Sequence, residues 1–230
     1  MAVITCEDLR PPVMGMRHFF STLSSLPLML VPLRALCAAL RAEPAALRPQ
    51  LVYLMAMLTV LFGSNLLLHA NGGTYVQSIE EMCAKLHEFA MLYVLNGVRA
   101  SEGRLALPPN AAFLLAALGS VTMLCCTLLF PRYHHAAFGA VTLIASPSIV
   151  AGMGQLSYRD ALAWSYWKLS CAGLVGFAMA WSIEPHLCEV PLVAPLFHSL
   201  CTHVGIAVLY THVNKNVLHL ALRDHGKRNR

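Results

Sequence analysis

Apolar positions along the chain gather into seven long runs separated by short polar or Pro/Gly-marked breaks, and none shows the two-residue alternation of a barrel strand. The runs predict helices over Phe19–Leu40, Leu51–His69, Val76–Val98, Asn110–Phe130, Ala136–Met153, Ala161–Ile183 and Pro191–Tyr210. The last reads PLVAPLFHSLCTHVGIAVLY, long enough to cross a hydrocarbon layer of about 30 Å at about 1.5 Å per residue. It carries His198, Ser199, Cys201, Thr202 and His203 in its interior. Ionisable groups are costly in hydrocarbon, so such residues turn toward a bundle interior, a partner or a metal.

The breaks support the division. Ala70-Asn71-Gly72-Gly73 is a turn signal, Pro108-Pro109 opens the fourth run and Pro131 closes it. Pro27 and Pro32 predict kinks in the first run, and Pro147 lies inside the fifth. The third run is the least apolar, with Glu80, Glu81, Lys85, His87 and Glu88. Beyond the last run, Asn214–Arg230 is a basic tail whose stretch NVLHLALRDH predicts a short amphipathic helix at the interface.

Charged residues make up 12% of the chain and the mean hydropathy is +0.61. This balance excludes an ordinary soluble domain and specifies an all-α polytopic membrane protein, a single seven-transmembrane-helix bundle over residues 1–230. The formal charge of +5 comes mostly from loops and tail. It sets topology and favours anionic headgroups; it does not point to nucleic acid, for which the chain has no motif. Arg10, Arg17 and Arg132 fall on one side of a seven-span arrangement. Arg41, Arg48, Arg99, Arg104, Arg159, Lys215, Arg223, Lys227, Arg228 and Arg230 fall on the other. The second group marks the cytosolic side, with the N-terminus outside or lumenal, in the plasma membrane or an endomembrane. The first 18 residues include acids and two prolines and show no signal-peptide core. The eight cysteines form no CxxC, and all but Cys6 and Cys188 lie in apolar runs, so packing rather than a disulfide framework is expected.

The chemistry lies in where the polar residues fall by depth. His69 ends the second helix on the outer side, the last helix runs inward from there past His198 and His203, and Glu88 lies about a dozen residues into the third. Zinc takes imidazole and carboxylate ligands, and a catalytic zinc keeps a place for water. His69, His198 and His203 are the candidate ligands, Glu88 the acid or base, and Ser64 or Asn65 the group that steadies an oxyanion. His198 and His203 are about 500° of α-helical rotation apart, so they share an ion only where the helix bulges. Structural roles are expected for the rest: an ion pair of Glu81 with Lys85, helix packing or solvation for His87, interfacial positions for His134 and His135, and backbone capping by Ser146 and Ser148 around Pro147.

Several stretches resemble the CREST superfamily of seven-helix membrane proteins, which includes alkaline ceramidases, progestin-and-adipoQ receptors, the post-GPI-attachment phospholipase and myomaker. Thr22-Leu23-Ser24-Ser25-Leu26, Val52-Tyr53-Leu54 and His69-Ala70-Asn71-Gly72 are similar to the myomaker-like branch. Cys83 with Glu88 in LHEF resembles its third helix, Trp181-Ser182-Ile183-Glu184 through Cys188 the ceramidase lead-in to the last helix, and His198-Ser199-Leu200 the HSxxH motif. The resemblance implies a zinc held by one histidine of the second helix and two of the last, with an acid of the third helix and a serine of the second nearby. His69 takes the first place and Glu88 the acid's, as Glu where the family has Asp; the family's last two histidines are four apart, and here they are five apart. Two activities follow as expectations: hydrolysis of an amide or ester of a membrane lipid, or a non-catalytic role in membrane remodelling or fusion, with a receptor or scaffold as a third.

Overall fold

The computed structural model describes residues 14–16, 18–41, 48–71, 74–187 and 197–228. All regular elements among them are helical. In chain order they are α1 (Phe19–Leu28), α2 (Leu30–Leu40), α3 (Arg48–Asn71), α4 (Thr74–Ser101), α5 (Pro109–Leu128), α6 (His134–Ser157), α7 (Ala161–Ile183) and α8 (His203–Arg228). Pro131–Tyr133 and Glu184–Leu187 form short 3₁₀ turns, and His198–Thr202 forms a π turn leading into α8. Among the described residues, four helical stretches are long and apolar enough to span a membrane: Phe19–Leu40, Arg48–Asn71, Pro109–Leu128 and Pro131–Ser157.

Local sequence accounts for the breaks. The predicted first helix is two, because Pro27 and Pro32 remove amide donors on either side of Met29, whose own N–H reaches only back to Leu26 O (3.2 Å). Helix α4 ends at Gly103 (φ 68°), where the Arg104 and Gly103 amides bond Arg99 O (3.0 Å) and Ala100 O (3.1 Å). That pairing closes the helix with left-handed backbone, which glycine takes without a Cβ clash.

The core forms along α3 and α4. Leu51, Leu54 and Met55 meet Ala90, Met91, Val94 and Val98, closed by Ile149, Met153 and Leu156 of α6 and by Val213, Val217 and Leu220 of α8. A second cluster toward the other end joins Leu58, Leu61 and Phe62 to Met82, Cys83 and Met123. The outside of α5 is the converse: Phe113, Leu114, Leu118, Val121 and Leu128 are all exposed. A helix with apolar residues on its exposed face suits a lipid environment, consistent with an integral membrane protein.

The C-terminal tail corrects the sequence reading. Residues 214–228 continue α8 rather than forming a separate interfacial helix. Val213, Val217 and Leu220 are spaced one turn apart, so they form a buried stripe despite the charges between them. Asn216 is fully buried and exchanges hydrogen bonds with Ser157 Oγ (3.1 Å). Residues 188–196, which include the start of the predicted last span and Cys188, lie outside the described residues, as does Cys6. The six described cysteines are unpaired, as expected.

Asp160, in the turn between α6 and α7, caps α7: its Oδ1 accepts from the Leu162 and Ala163 amides at 3.0 Å each, and its Oδ2 meets His219 Nε2 at 2.9 Å. The Ala163 amide first, and then the His219 side chain, hold its carboxyl below the usual carboxylate range. A depressed carboxylate stabilises the fold above its unfolded pKa of about 3.9, and that contribution is lost as pH falls through the folded value. Asp160→Ala is expected to cost about 0.5–2 kcal/mol at pH 7. Thermal unfolding of the detergent-solubilised protein checks this; the gap from wild type should close below about pH 4.

Candidate functional site

The C-terminal end of α3, the start of α1 and the start of α8 meet around three buried histidines. His69, three residues from the end of α3, holds the centre. Its Nε2 lies 3.4 Å from Nε2 of His203, and its Nδ1 lies 3.5 Å from Nδ1 of His18. The rings are tilted, with centroids 5.2 and 5.8 Å apart. His18 is anchored by its backbone, its N–H donating to His69 O (3.0 Å) while its carbonyl accepts from the Thr22 amide and hydroxyl.

Ser24 fixes the orientation of His203. Its Oγ is 2.9 Å from Phe20 O and 2.7 Å from His203 Nδ1. The hydroxyl has one hydrogen, and the Phe20 carbonyl can only accept, so His203 Nδ1–H donates to Ser24 Oγ. That tautomer turns a lone pair at Nε2 toward His69. Two nitrogens bound to one tetrahedral zinc at about 2.0–2.1 Å lie about 3.3 Å apart, so the His69–His203 separation fits a shared ion. A ring nitrogen tied to a hydroxyl while the other faces the ion is the usual arrangement around a metal-bound histidine. His18 does not fit the same ion, because it meets the opposite nitrogen of His69.

The two expected histidines of the last helix fare differently. His203 is in the cluster. The side chain of His198 lies outside the described residues, but the backbone there is informative. His198 opens the π turn, and His203 follows it as the first residue of α8. Bonding from i to i+5 brings positions five apart into the register that positions four apart hold in an α-helix. The bulge that the five-residue spacing demands is therefore present. Thr202, within it, has a buried hydroxyl with no partner among the described residues.

Below the histidines runs a polar chain. Ser25 Oγ donates to Asn65 Oδ1 (3.2 Å), and the Asn65 side chain lies beside the Glu80 carboxylate, close enough to interact with it. Asn65 is one turn from His69, and Ser25 adjoins Ser24, so this chain and the histidine cluster share two helices. Ser64 turns away: its hydroxyl donates to Leu61 O (2.7 Å) and lies beside the Cys83 thiol. Asn65 is thus the better placed of the two expected helpers.

Glu88 is not brought to the histidines. Its Oε1 takes an ion pair from Lys85 (2.6 Å) and a hydrogen bond from Ser146 (3.3 Å). It lines a cavity of about 120 Å³ with His87, Ser146, Trp167 and Tyr210. Eight residues separate it from Glu80, about 12 Å along α4. The expected Glu81–Lys85 pair is also absent among the described contacts. Lys85 is drawn instead to Glu88 and lies over the Phe138 ring at 4.4 Å, while Glu81 is taken by His134 at 2.8 Å. His134 is buried within the protein at the start of α6, whereas the neighbouring His135 is exposed. His87 is buried against Tyr210, which is the helix-packing role expected of it. Ser148 bonds Ile144 O as a backbone cap, but Ser146 bonds Glu88.

Sequence reasoning did not single out His18, and it named Glu80 in the third run without giving it a role. His18 precedes the first apolar run and looks like a loop residue. Its one signal was topological: the start of the first helix and the end of the second lie on the same side. In comparison with known proteins, no family model and no curated protein matches the chain.

Proposed function

We propose that the protein is a seven-helix integral membrane protein of the CREST type, with its N-terminus outside or lumenal, that hydrolyses an amide or ester bond of a membrane lipid with the help of zinc. The observation that carries this reading is the approach of His69 Nε2 to His203 Nε2, 3.4 Å apart, between helices distant in sequence. His69 and His203 would hold the ion, with His198, which opens the π turn, as the third ligand of the reading. Such an ion polarises a lipid carbonyl and acidifies water. Asn65 holds Glu80 one turn below, and Glu80 rather than Glu88 takes the proton from the attacking water and returns it to the leaving group. Asn65 then has its amide near the carbonyl oxygen as negative charge grows there.

Metal analysis of the purified chain tests the reading. A zinc equivalent that is lost in His69→Ala is expected, together with release of free fatty acid from a panel of ceramides and glycerolipids. Ser24→Ala should keep the fold and weaken zinc roughly 10–100-fold, as loss of a group that orients a ligand does. A folded protein with no metal that depends on His69 would leave the non-catalytic role in membrane remodelling or fusion as the reading.

A further inference from the structure

We propose that Glu81, His134 and His135 form a second site, for a divalent ion of the zinc, cobalt or copper class, separate from the His69–His203 pair. The three offer ligand atoms within 4.8 Å of one another. His134 Nε2 and His135 Nδ1 lie 2.8 and 3.6 Å from the same oxygen, Glu81 Oε2. These distances bracket the roughly 3.3 Å expected between donors on one tetrahedral ion.

Hydrogen bonding around the three groups argues for a cation. The Thr127 hydroxyl lies 2.8 Å from Met123 O and 2.9 Å from His134 Nδ1. Its single hydrogen goes to the carbonyl, so His134 Nδ1–H donates to Thr127 Oγ1. With Nδ1 committed as a donor, Nε2 faces a carboxylate oxygen 2.8 Å away, either through a second proton or with its unshared pair. Two acceptors that close repel unless a proton or a metal ion lies between them. The carboxylate is held as well: Gln77 Nε2 donates to Glu81 Oε1 (3.0 Å), leaving Oε2 for His134 and His135. Each of these two buried or half-buried ligands thus has a supporting bond on its far atom, as metal ligands do.

The chemistry and access narrow the ion. Two imidazoles and one carboxylate suit zinc, cobalt, nickel or copper rather than magnesium or calcium. His134 is buried and fixed, whereas the His135 side chain is 67% exposed and gives an entry path. The histidines sit at the N-terminus of α6, where the helix dipole opposes a cation; Glu81 offsets this, so binding should be weaker than at a four-ligand structural zinc site.

Cobalt titration of the chelator-stripped full chain in nanodiscs, followed by visible absorbance, tests the site. A cobalt equivalent that survives in His69→Ala but is lost, or weakened at least tenfold, in His135→Ala and Glu81→Gln supports it. The exposure of His135 makes its alanine variant safe for folding. Identical stoichiometry and affinity in wild type and His135→Ala would overturn the proposal, because the contact would then be an imidazolium–carboxylate pair. The two sites fail separately: an equivalent lost only in His69→Ala rejects this one, and an equivalent lost only in His135→Ala rejects the zinc assigned above.

Discussion

Gly173→Ala should separate α7 from α8 and destabilise the protein more than its single methyl group suggests. A Cβ at position 173 would lie 2.6 Å from the Leu209 amide nitrogen and 2.9 Å from its Cα, backbone atoms that no rotamer change can move. Gly205 of α8 makes the reciprocal approach, its own Cβ falling 3.0 Å from the Phe177 nitrogen. Alanine gains about 1 kcal/mol over glycine in a helix, but forcing atoms into a packed contact costs about 1–3 kcal/mol or more. With rigid backbone on both sides the loss wins. Gly176→Ala is the control: on the same helix, its added Cβ meets nothing within 4 Å, so it should be neutral or raise the thermal midpoint. Equal midpoints for the two variants would show that the helices do not pack on Gly173. Such close approach on small residues is how helices associate in lipid, where apolar burial gives no drive.

Glu80→Gln should lower kcat on the lipid substrate by roughly 10²–10⁴-fold while leaving zinc content unchanged, the loss expected when a proton-transfer group is removed. The amide keeps the size of the side chain and its place beside Asn65, so α3, α4 and α8 stay in place. Glu88→Gln should act differently. It leaves buried Lys85 without its 2.6 Å partner, so its effect should fall on stability and expression. If Glu88→Gln lost turnover at normal stability and Glu80→Gln did not, the acid would be Glu88 after all.

These outcomes bear on how far the residues alone could lead. Helical class, element order and the approach of the end of α3 to the start of the last helix follow from apolar runs and from depth, because alternation of direction across a layer is enough to match those ends. Depth points first to His198, and His203 is the histidine whose described side chain meets His69. The choice between Glu80 and Glu88 does not follow. Both are on α4, and only the pairing of Asn65 with Glu80 and of Lys85 with Glu88 separates them. His134 was hidden by Pro131, which reads as the start of a loop yet begins a single 3₁₀ turn before α6. The tail was hidden by its charge: Lys215 and His219 mask the stripe of Val213, Val217 and Leu220, whose burial needs three-dimensional neighbours.

The π turn ahead of α8 alters how kinship should be sought for this chain. A turn that takes in one additional residue lets five-residue spacing do what four-residue spacing does elsewhere. A motif search that insists on HxxxH would pass over this helix, and one that tolerates a single inserted position would find it.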